Sequence, residues 1–437
     1  MKALPTIPPP LRGLLAGARR TRHAVPKIIT SIPALAAFLI LVAATFSLIS
    51  LGTFQWPPTT SSSSPLSGAA PCDLTRGRWV RDPSVQPYYT NATCAFIEGY
   101  QNCMKHGRPS LEFLQWRWRP AGGAGCDDGD LPRFDAARFF ELLRGKSILF
   151  VGDSLASSHV RSLVCTLSQV EPPARSPAAG GFERWRFPAH GLTVTFFWTP
   201  FQVRWRLTRG PPEPVGPDRQ GEVFAGPSDI HLDEPDPRWL PAAAREHDVV
   251  VVSASHWFAR PAVHYRRAAA AGRDGAASSN ATAAARLTPE QAQRAAFRTV
   301  LRGLAGMEGW EGTAVLRTVA PTHYENGGWF DGGECTATEP ADPEDPVPEM
   351  AGTEREFYRA QVEEFAAAEE EVERRSGVRM RLMDVTGMML RRPDGHPDRY
   401  GHGGGEHEGF DIDCLHWCLP GAIDVWNELL LQILAGR

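Results

Sequence analysis

The sequence predicts an α/β domain with a mainly parallel sheet flanked by helices, and three observations support this class. First, four short apolar segments have the length and the β-branched content of buried strands: Ser147–Val151, His247–Ser253, Thr313–Val319 and Met380–Val385. Second, helical patterns follow or separate these segments, at about 289–304, at about 354–375 and from Gly421 onward. Third, strands and helices alternate, and alternation is typical of a parallel sheet covered by helices.

The N-terminal region predicts a membrane anchor. Residues 1–27 contain six basic residues and no acidic residue, and residues 28–51 carry no charge. A spanning helix needs about 20 apolar residues, whereas a cleaved signal peptide has a shorter apolar core. Because a basic flank resists translocation, we expect a cytosolic tail at 1–27, a signal-anchor helix at 28–51 and a lumenal remainder.

The lumenal part divides into three segments by composition. Residues 52–71 are rich in Ser, Thr and Pro and predict a stem, because such a stretch cannot bury a core. Residues 72–135 hold four cysteines and many aromatic residues with little periodicity, which indicates a loop-rich, disulfide-stapled lobe. Residues 136–437 contain the strand and helix pattern, with apparent surface insertions at 206–220 and 266–288.

Charge and cysteine content restrict the partners and the compartment. Residues 28–437 carry a net charge of −10, against −4 for the whole chain, which argues against nucleic acid as a partner. All eight cysteines follow the predicted anchor, and an even number in an oxidising compartment indicates four disulfides. Sequons at Asn91 and Asn280 predict glycosylation on the lumenal side.

The segment Gly152-Asp153-Ser154 follows the first predicted strand and opens a helix. Ligand sites in such sheets form at the carboxyl ends of strands. Backbone N–H groups at a helix N-terminus can also hold an oxyanion there, which makes Gly152 and Asp153 candidates for that role. Taken alone, the motif favours helix capping, because Asp and Ser are preferred N-cap residues.

A second polar motif, Asp413-Cys414-Leu415-His416, lies just before the last predicted helix. Residues three apart on a helical turn share a face, so the carboxylate can orient the imidazole toward a nucleophile. One alternative is a capping Asp beside a surface His. Another is a metal site that draws on nearby groups, although an oxidising compartment favours disulfides for the cysteines: Cys414, Cys418, His402 and His407.

A strand-end Ser followed near the C-terminus by Asp-x-x-His is the chain order of SGNH/GDSL-type esterases. Further motifs follow one another along the chain: Pro87-Tyr88-Tyr89-Thr90-Asn91, Gln101-Asn102-Cys103, Trp116-Arg117-Trp118-Arg119-Pro120, His256-Trp257, Gly332-Gly333-Glu334-Cys335 and Asp394-Gly395-His396-Pro397. In this order they resemble the plant trichome birefringence-like family of polysaccharide O-acetyltransferases over nearly all of residues 72–437.

The resemblance implies a single-pass type II Golgi membrane enzyme with Ser154, Asp413 and His416 as its catalytic triad. It implies no metal and no bound cofactor. It also implies a particular set of disulfides, whose pairing the cysteine count alone leaves open: Cys72–Cys126, Cys94–Cys165, Cys103–Cys418 and Cys335–Cys414. The segments at 87–91 and 101–105 are most similar to the branch that acetylates galactosyl residues of xyloglucan, with xylan and mannan as alternative acceptors.

The chain departs from the family pattern beside the predicted nucleophile. Ser157 and Ser158 stand where the family usually has Arg and Asn, and Ser255 stands where relatives often have Gly. If the usual Arg and Asn hold the oxyanion or the acceptor, we expect weaker or redirected activity.

Several aromatic and histidine residues have two interpretations. His256 and Trp257 follow a strand, so contact with a sugar and a structural role are both open. For Trp116 and Trp118 we favour packing over glycan stacking. A substrate groove is the expectation for His323, Tyr324 and Trp329, and a turn for His396.

The function that we expect is acetyl transfer to a hemicellulose through an acyl-serine intermediate. The acetyl donor is acetyl-CoA or an acetyl group relayed by a partner membrane protein. Two other functions stay open: an acetylesterase with the same triad, and a non-catalytic protein that binds a wall polymer.

Overall fold

The computed structural model describes residues 73–121, 129–207, 228–267, 282–328, 332–342, 344–350, 352–373, 377–401 and 412–436. The predicted tail, anchor and stem lie outside these ranges, as do Cys72, Cys126, Asn280 and Trp329. Within them, no helix combines the length and the apolar character needed to cross a membrane.

The described ranges contain thirteen strands and seven α-helices. The strands are β1 (Gly77–Arg81), β2 (Trp116–Pro120), β3 (Ser147–Gly152), β4 (Ala174–Ala179), β5 (Phe182–Phe187), β6 (Leu192–Trp198), β7 (Val203–Leu207), β8 (Ser228–Pro235), β9 (Val249–Ser253), β10 (Ala262–Arg267), β11 (Thr282–Ala285), β12 (Thr313–Arg317) and β13 (Arg379–Met383). The α-helices are α1 (Ala136–Leu142), α2 (Ser154–Leu167), α3 (Leu240–Glu246), α4 (Pro289–Ala305), α5 (Gly352–Glu373), α6 (Thr386–Met389) and α7 (Val425–Leu434).

The larger sheet has seven strands in the order β13-β12-β9-β3-β6-β5-β4. Neighbours from β13 to β6 are parallel, and β5 and β4 continue the sheet in antiparallel pairing. The prediction of a mainly parallel sheet is therefore confirmed. The four predicted strands are β3, β9, β12 and β13, each within one or two residues of its predicted ends.

Both faces of this sheet are buried, because side chains alternate between two apolar clusters along each central strand. Ile148 and Phe150 of β3 pack in the cluster that includes α2 and α7. Leu149 and Val151 pack on the other face, against α3, α4 and α5. The helix face predicted after Ser154 is fully buried in the first cluster, at Val160, Leu163, Val164 and Leu167.

A second, four-stranded sheet in the order β11-β10-β8-β7 is absent from the sequence prediction. It corrects the ends of the insertions predicted at 206–220 and 266–288, because residues 206–207 belong to β7, 266–267 to β10 and 282–285 to β11. The rest of those two segments, 208–227 and 268–281, lies outside the described residues. The β11 sequence, Thr-Ala-Ala-Ala, has little β-propensity and forms a strand through pairing with β10.

The N-terminal lobe shares its core with the main domain. Trp79 of β1 and Trp118 of β2 meet edge to face at 5.5 Å, in the same apolar cluster as α2 and α7. This confirms the packing role predicted for Trp118. Three of the implied disulfides are present, and two of them join the lobe to the main domain: Cys94–Cys165, Cys103–Cys418 and Cys335–Cys414.

Two carboxyl groups at the start of α7 are buried beside tyrosines of the lobe. Tyr88 donates a hydrogen bond to Glu428, and Tyr89 donates one to Asp424. Burial raises the pKa of Asp424 to about 6 and that of Glu428 to about 7, and the hydrogen bonds from Ser162 and the tyrosines only partly offset it.

These raised pKa values predict that stability falls as pH rises from about 4.5 to about 7, since the unfolded carboxyl groups ionise first. For Glu428 the loss is about 3 kcal/mol. Glu428→Gln keeps an acceptor for Tyr88 but cannot ionise, so we expect a weaker pH response. Urea denaturation at pH 5 and pH 7.5 measures this. Equal responses in both proteins would contradict it.

Candidate active site

Ser154 lies at the carboxyl edge of the larger sheet, as predicted. Strand β3 ends at Gly152, which pairs with Trp198 of β6 and Ser253 of β9, and Ser154 is the first residue of α2. The N–H of a first helical residue has no acceptor within its helix. The partly exposed Ser154 thus brings both a hydroxyl and a backbone donor to this edge.

Gly152 and Asp153 have structural roles in this turn. A Cβ atom on Gly152 would lie 2.0 Å from the carbonyl oxygen of Ser253, so only glycine allows β3, β9 and α2 to pack this closely. The Asp153 carboxylate accepts from the N–H of Leu155 at 3.0 Å and caps α2. The oxyanion role of either backbone stays a prediction.

The structure brings the three predicted triad side chains together. His416 Nε2 lies 2.8 Å from Ser154 Oγ, and His416 Nδ1 lies 2.7 Å from Asp413 Oδ2. The other Asp413 oxygen accepts from the N–H groups of Leu415 and His416, at 3.1 and 2.9 Å. The carboxylate therefore orients both the turn and the imidazole, so that Nε2 is left to accept a proton from the serine.

Electrostatics hold Asp413 and His416 as an interacting pair. Burial opposes ionisation of Asp413, but attraction to His416 and hydrogen bonds from the turn outweigh it and lower its pKa. Burial likewise opposes charge on His416, but Asp413 outweighs it and raises the pKa of the imidazole above its ordinary value. His416 is consequently a stronger base than a free histidine.

The segment that carries Asp413 and His416, residues 413–418, is fixed at both ends. Cys414 is bonded to Cys335 and Cys418 to Cys103. These bonds remove both sulfurs from the metal site considered above, whose other members, His402 and His407, lie outside the described residues. Within the described residues, no group of three or more potential ligands is placed to hold a metal ion.

Two residues of the N-terminal lobe complete the surroundings of the site, and the sequence did not indicate them. The Tyr100 ring packs edge-on against the His416 imidazole, with centroids 4.7 Å apart. Gln101 donates to the Ser158 hydroxyl at 2.5 Å, and that hydroxyl donates to the Ser154 carbonyl at 2.9 Å. The Cys103–Cys418 disulfide, which the resemblance implies, could have indicated these residues. Cys103 lies two residues after Gln101, and Cys418 lies two residues after His416.

The three unusual serines lie close to the nucleophile. Ser158 links Gln101 to the backbone of Ser154, as above, and Ser157 is buried with its N–H donated to the carbonyl of Asp153. Ser255 donates its N–H to the Asp153 carboxylate at 3.4 Å. All three serines therefore form hydrogen bonds with Asp153 or Ser154 in the turn between β3 and α2.

His256 and Trp257 lie on the same edge but differ in surroundings. The His256 Nε2 atom is 3.0 Å from the Ala320 carbonyl oxygen, and its Nδ1 atom is 3.6 Å from Glu354. Trp257 is partly exposed, meets Trp198 edge to face at 5.6 Å, and lies under the Arg260 guanidinium at 4.1 Å. Trp198 in turn meets Trp205 at 5.7 Å, and we call Trp198, Trp205 and Trp257 the tryptophan cluster.

The residues predicted to line a groove after β12 contact the segment 413–418. The Tyr324 hydroxyl accepts from the N–H of Cys414 at 3.3 Å. The backbone N–H of His323 donates to the Cys414 carbonyl at 3.1 Å, and the His323 ring contacts the His396 ring. The structure thus gives His323 and Tyr324 supporting contacts behind the triad, and Trp329 lies outside the described residues.

A serine, a histidine and an aspartate lie in hydrogen-bonded series at the carboxyl edge of the parallel strands, an arrangement that acyl-transfer enzymes of several unrelated folds share. The chain belongs to the PC-Esterase family, the GDSL/SGNH-like acyl-esterase family found in Pmr5 and Cas1p, whose model matches residues 131–433. The PMR5 N-terminal domain model matches residues 70–127.

Curated relatives confirm the resemblance to the trichome birefringence-like family. Protein trichome birefringence-like 19 of Arabidopsis thaliana is 40% identical over 387 residues, which cover 87% of this chain and 86% of that protein. Xyloglucan O-acetyltransferase 1 of the same plant is 37% identical over 370 residues, with coverage of 83% and 80%. Xyloglucan O-acetyltransferase 1 of Populus trichocarpa is 35% identical over 415 residues, with coverage of 91% and 90%.

Proposed function

We propose that this protein transfers acetyl groups to the galactosyl residues of xyloglucan through an acetyl-serine intermediate. The observation that carries the proposal is the continuous contact series from Asp413 through His416 to Ser154. Relatives named as xyloglucan O-acetyltransferases support the acceptor. Xylan and mannan are the alternative acceptors.

In the first half-reaction the Ser154 oxygen attacks the acetyl carbonyl while His416 Nε2 takes the hydroxyl proton. The tetrahedral intermediate then expels the leaving group of the donor, which receives that proton from His416. Asp413 keeps the other ring nitrogen protonated and stabilises the imidazolium. The Ser154 N–H, at the start of α2, supplies one donor for the oxyanion.

In the second half-reaction a sugar hydroxyl gives its proton to His416 and attacks the acetyl ester. The sugar–oxygen bond to the acetyl carbon forms, the bond to Ser154 breaks, and His416 returns its proton to the serine. Water in place of the sugar would give an esterase, so the outcome depends on which nucleophile occupies the site. The donor that we propose is acetyl-CoA or an acetyl group relayed by a membrane partner.

The topology that we propose is that of a Golgi type II membrane protein. The basic residues at 1–27 and the uncharged stretch at 28–51 support it. The exposed sequon residue Asn91 and the three disulfides are consistent with a lumenal, oxidising compartment.

The tryptophan cluster is the acceptor-binding surface that we propose, since sugar rings pack their C–H faces against aromatic rings and Trp198 is paired with Gly152. Trp257→Ala is expected to raise the KM for xyloglucan about tenfold, or about 1.4 kcal/mol. The kcat should change far less, and Trp257→Phe should retain most of the affinity. A loss confined to kcat would contradict this role.

The deciding experiment uses the full-length chain in detergent with acetyl-CoA or an aryl acetate and deacetylated xyloglucan, xylan or mannan. Mass spectrometry of the oligosaccharides is expected to show acetylated xyloglucan, and none with Ser154→Ala. Free acetate without acetylated sugar would indicate an esterase. Binding of xyloglucan without turnover of any donor would indicate a non-catalytic wall-polymer protein.

A further inference from the structure

The buried His396 and the partly buried His323 lie beside the segment 413–418. His396 Nδ1 is 2.6 Å from the carbonyl oxygen of His416, and His396 Nε2 is 2.7 Å from His323 Nδ1. The second nitrogen of His323 is 3.1 Å from the Leu390 carbonyl oxygen. The two rings therefore form a series that ends on the backbone of the proposed catalytic base.

Two neutral imidazoles carry two N–H groups for these three contacts, so one contact has no hydrogen. A carbonyl oxygen only accepts, and we assign the hydrogen of His396 to Nδ1, at the shortest contact, to the His416 carbonyl. His396 Nε2 then accepts from Nδ1–H of His323. In this assignment the contact without a hydrogen is the longest of the three, at 3.1 Å to the Leu390 carbonyl.

The surroundings keep both rings neutral. Burial lowers the pKa of His323, opposed by the Leu390 carbonyl, Glu354 and Asp394. Burial also lowers the pKa of His396, where His323 and Arg108 act in the same direction and the His416 carbonyl and Asp413 oppose. Arg108 further donates to the carbonyl of His396 at 2.6 Å and so fixes its backbone.

We propose that His396 and His323 are positioning residues for the acyl-transfer site: His323 sets the tautomer of His396, and His396 holds the carbonyl of His416. This inference rests on the proposed function. Asp413 orients the His416 imidazole from its side chain, while His396 restrains the same residue through its backbone. Loss of the restraint would let the imidazole move relative to both Asp413 and Ser154.

The test measures the pH dependence of kcat for aryl acetate turnover. His396→Ala is expected to lower kcat about 10- to 100-fold, as for other groups that support a reacting residue from behind. Burial opposes charge on His416, and its pKa is raised chiefly by Asp413, with Asp153 and Glu98 acting in the same direction. A loosened turn weakens the contact with Asp413 and should also move the acid limb of the profile toward lower pH. His323→Gln, which presents an N–H to His396 Nε2, should keep more activity than His323→Ala.

The matched control is His247→Ala, which removes another buried histidine at the opposite end of β9, where it contacts Thr195. It should lower stability without moving the pH profile. If His396→Ala loses folded protein but keeps kcat and the acid limb of the remainder, the positioning role is wrong. The same holds if His323→Gln and His323→Ala behave alike.

A readout independent of turnover separates this inference from the proposed function. In the Ser154→Ala protein, ¹⁵N chemical shifts of the imidazoles should show both His323 and His396 protonated on Nδ1. An Nε2–H tautomer on His396 would overturn the inference even if acetyl transfer occurs. Conversely, the Nδ1–H tautomers in a protein that transfers no acetyl group would leave the hydrogen-bond series in place and remove the proposed function.

Discussion

Replacement of Ser154 by alanine is expected to reduce acetyl transfer by about four to six orders of magnitude. The variant loses only the side-chain hydroxyl, whose oxygen carries the acetyl group in the proposed mechanism. Folding should be preserved, because Asp153 caps α2 and the side chain of Ser154 is partly exposed. The measurements are the transfer assay and a thermal denaturation curve of the same preparation.

Ser168→Ala is the matched control for that variant. Ser168 lies at the far end of α2, where its hydroxyl donates to the Cys165 carbonyl at 2.8 Å. Its loss removes a comparable hydrogen bond without touching the site, so activity should stay near the wild-type level. Ser154→Ala with more than about a hundredth of wild-type transfer would exclude the acetyl-serine route.

Asp413→Asn is expected to lower kcat about ten thousandfold. The asparagine oxygen can still accept from the N–H groups of Leu415 and His416, so the turn should persist. Its amide, however, presents hydrogen to His416 Nδ1 and forces the proton onto Nε2, which then cannot accept from Ser154. The pKa of His416 should also fall, because the attraction that raises it is gone.

A pH–rate profile distinguishes these two effects of Asp413→Asn. If His416 holds the wrong tautomer, kcat stays low even at high pH. If only the pKa of His416 changes, the pH–rate profile moves along the pH axis and kcat recovers at its plateau. Asp236→Asn is a suitable control, since Asp236 is also a buried carboxylate but pairs with Arg238 outside the site. Near-normal kcat in Asp413→Asn at any pH would contradict the orienting role.

Four of the five parallel strands of the larger sheet were predicted, and β3, β9 and β12 were the easiest to recognise because they are mostly continuous apolar runs buried on both faces. The fifth, β6, was missed. The hairpin of β4 and β5 and the second sheet were not predicted either. Their sequences mix charged residues or alanine with apolar residues, and they form strands through pairing with neighbouring strands. The two helices predicted at about 289–304 and 354–375 lie within two residues of those ends, whereas the last α-helix begins at Val425, four residues after its predicted start.

That Ser154, Asp413 and His416 would meet was predictable because Ser154 and the Asp413–His416 pair belong to short motifs with their own chemistry, and the order of the motifs along the chain is informative. The supporting residues were not. Tyr100 contacts the His416 ring, Gln101 contacts Ser158, and His396 contacts both His323 and the His416 carbonyl, and no local sequence pattern indicates these contacts. Gly152 and Asp153 were correctly located, but packing and capping account for their contacts.

Ser154 and His416 are separated by 262 positions. Asp413 and His416, with Cys414 and Cys418 that attach their segment to the rest of the fold, are synthesised long after Ser154. In the proposed mechanism, a nascent polypeptide therefore contains Ser154 without the base that activates it. Acyl transfer would then depend on synthesis of the C-terminal segment and on its attachment to earlier parts of the fold through Cys103–Cys418 and Cys335–Cys414.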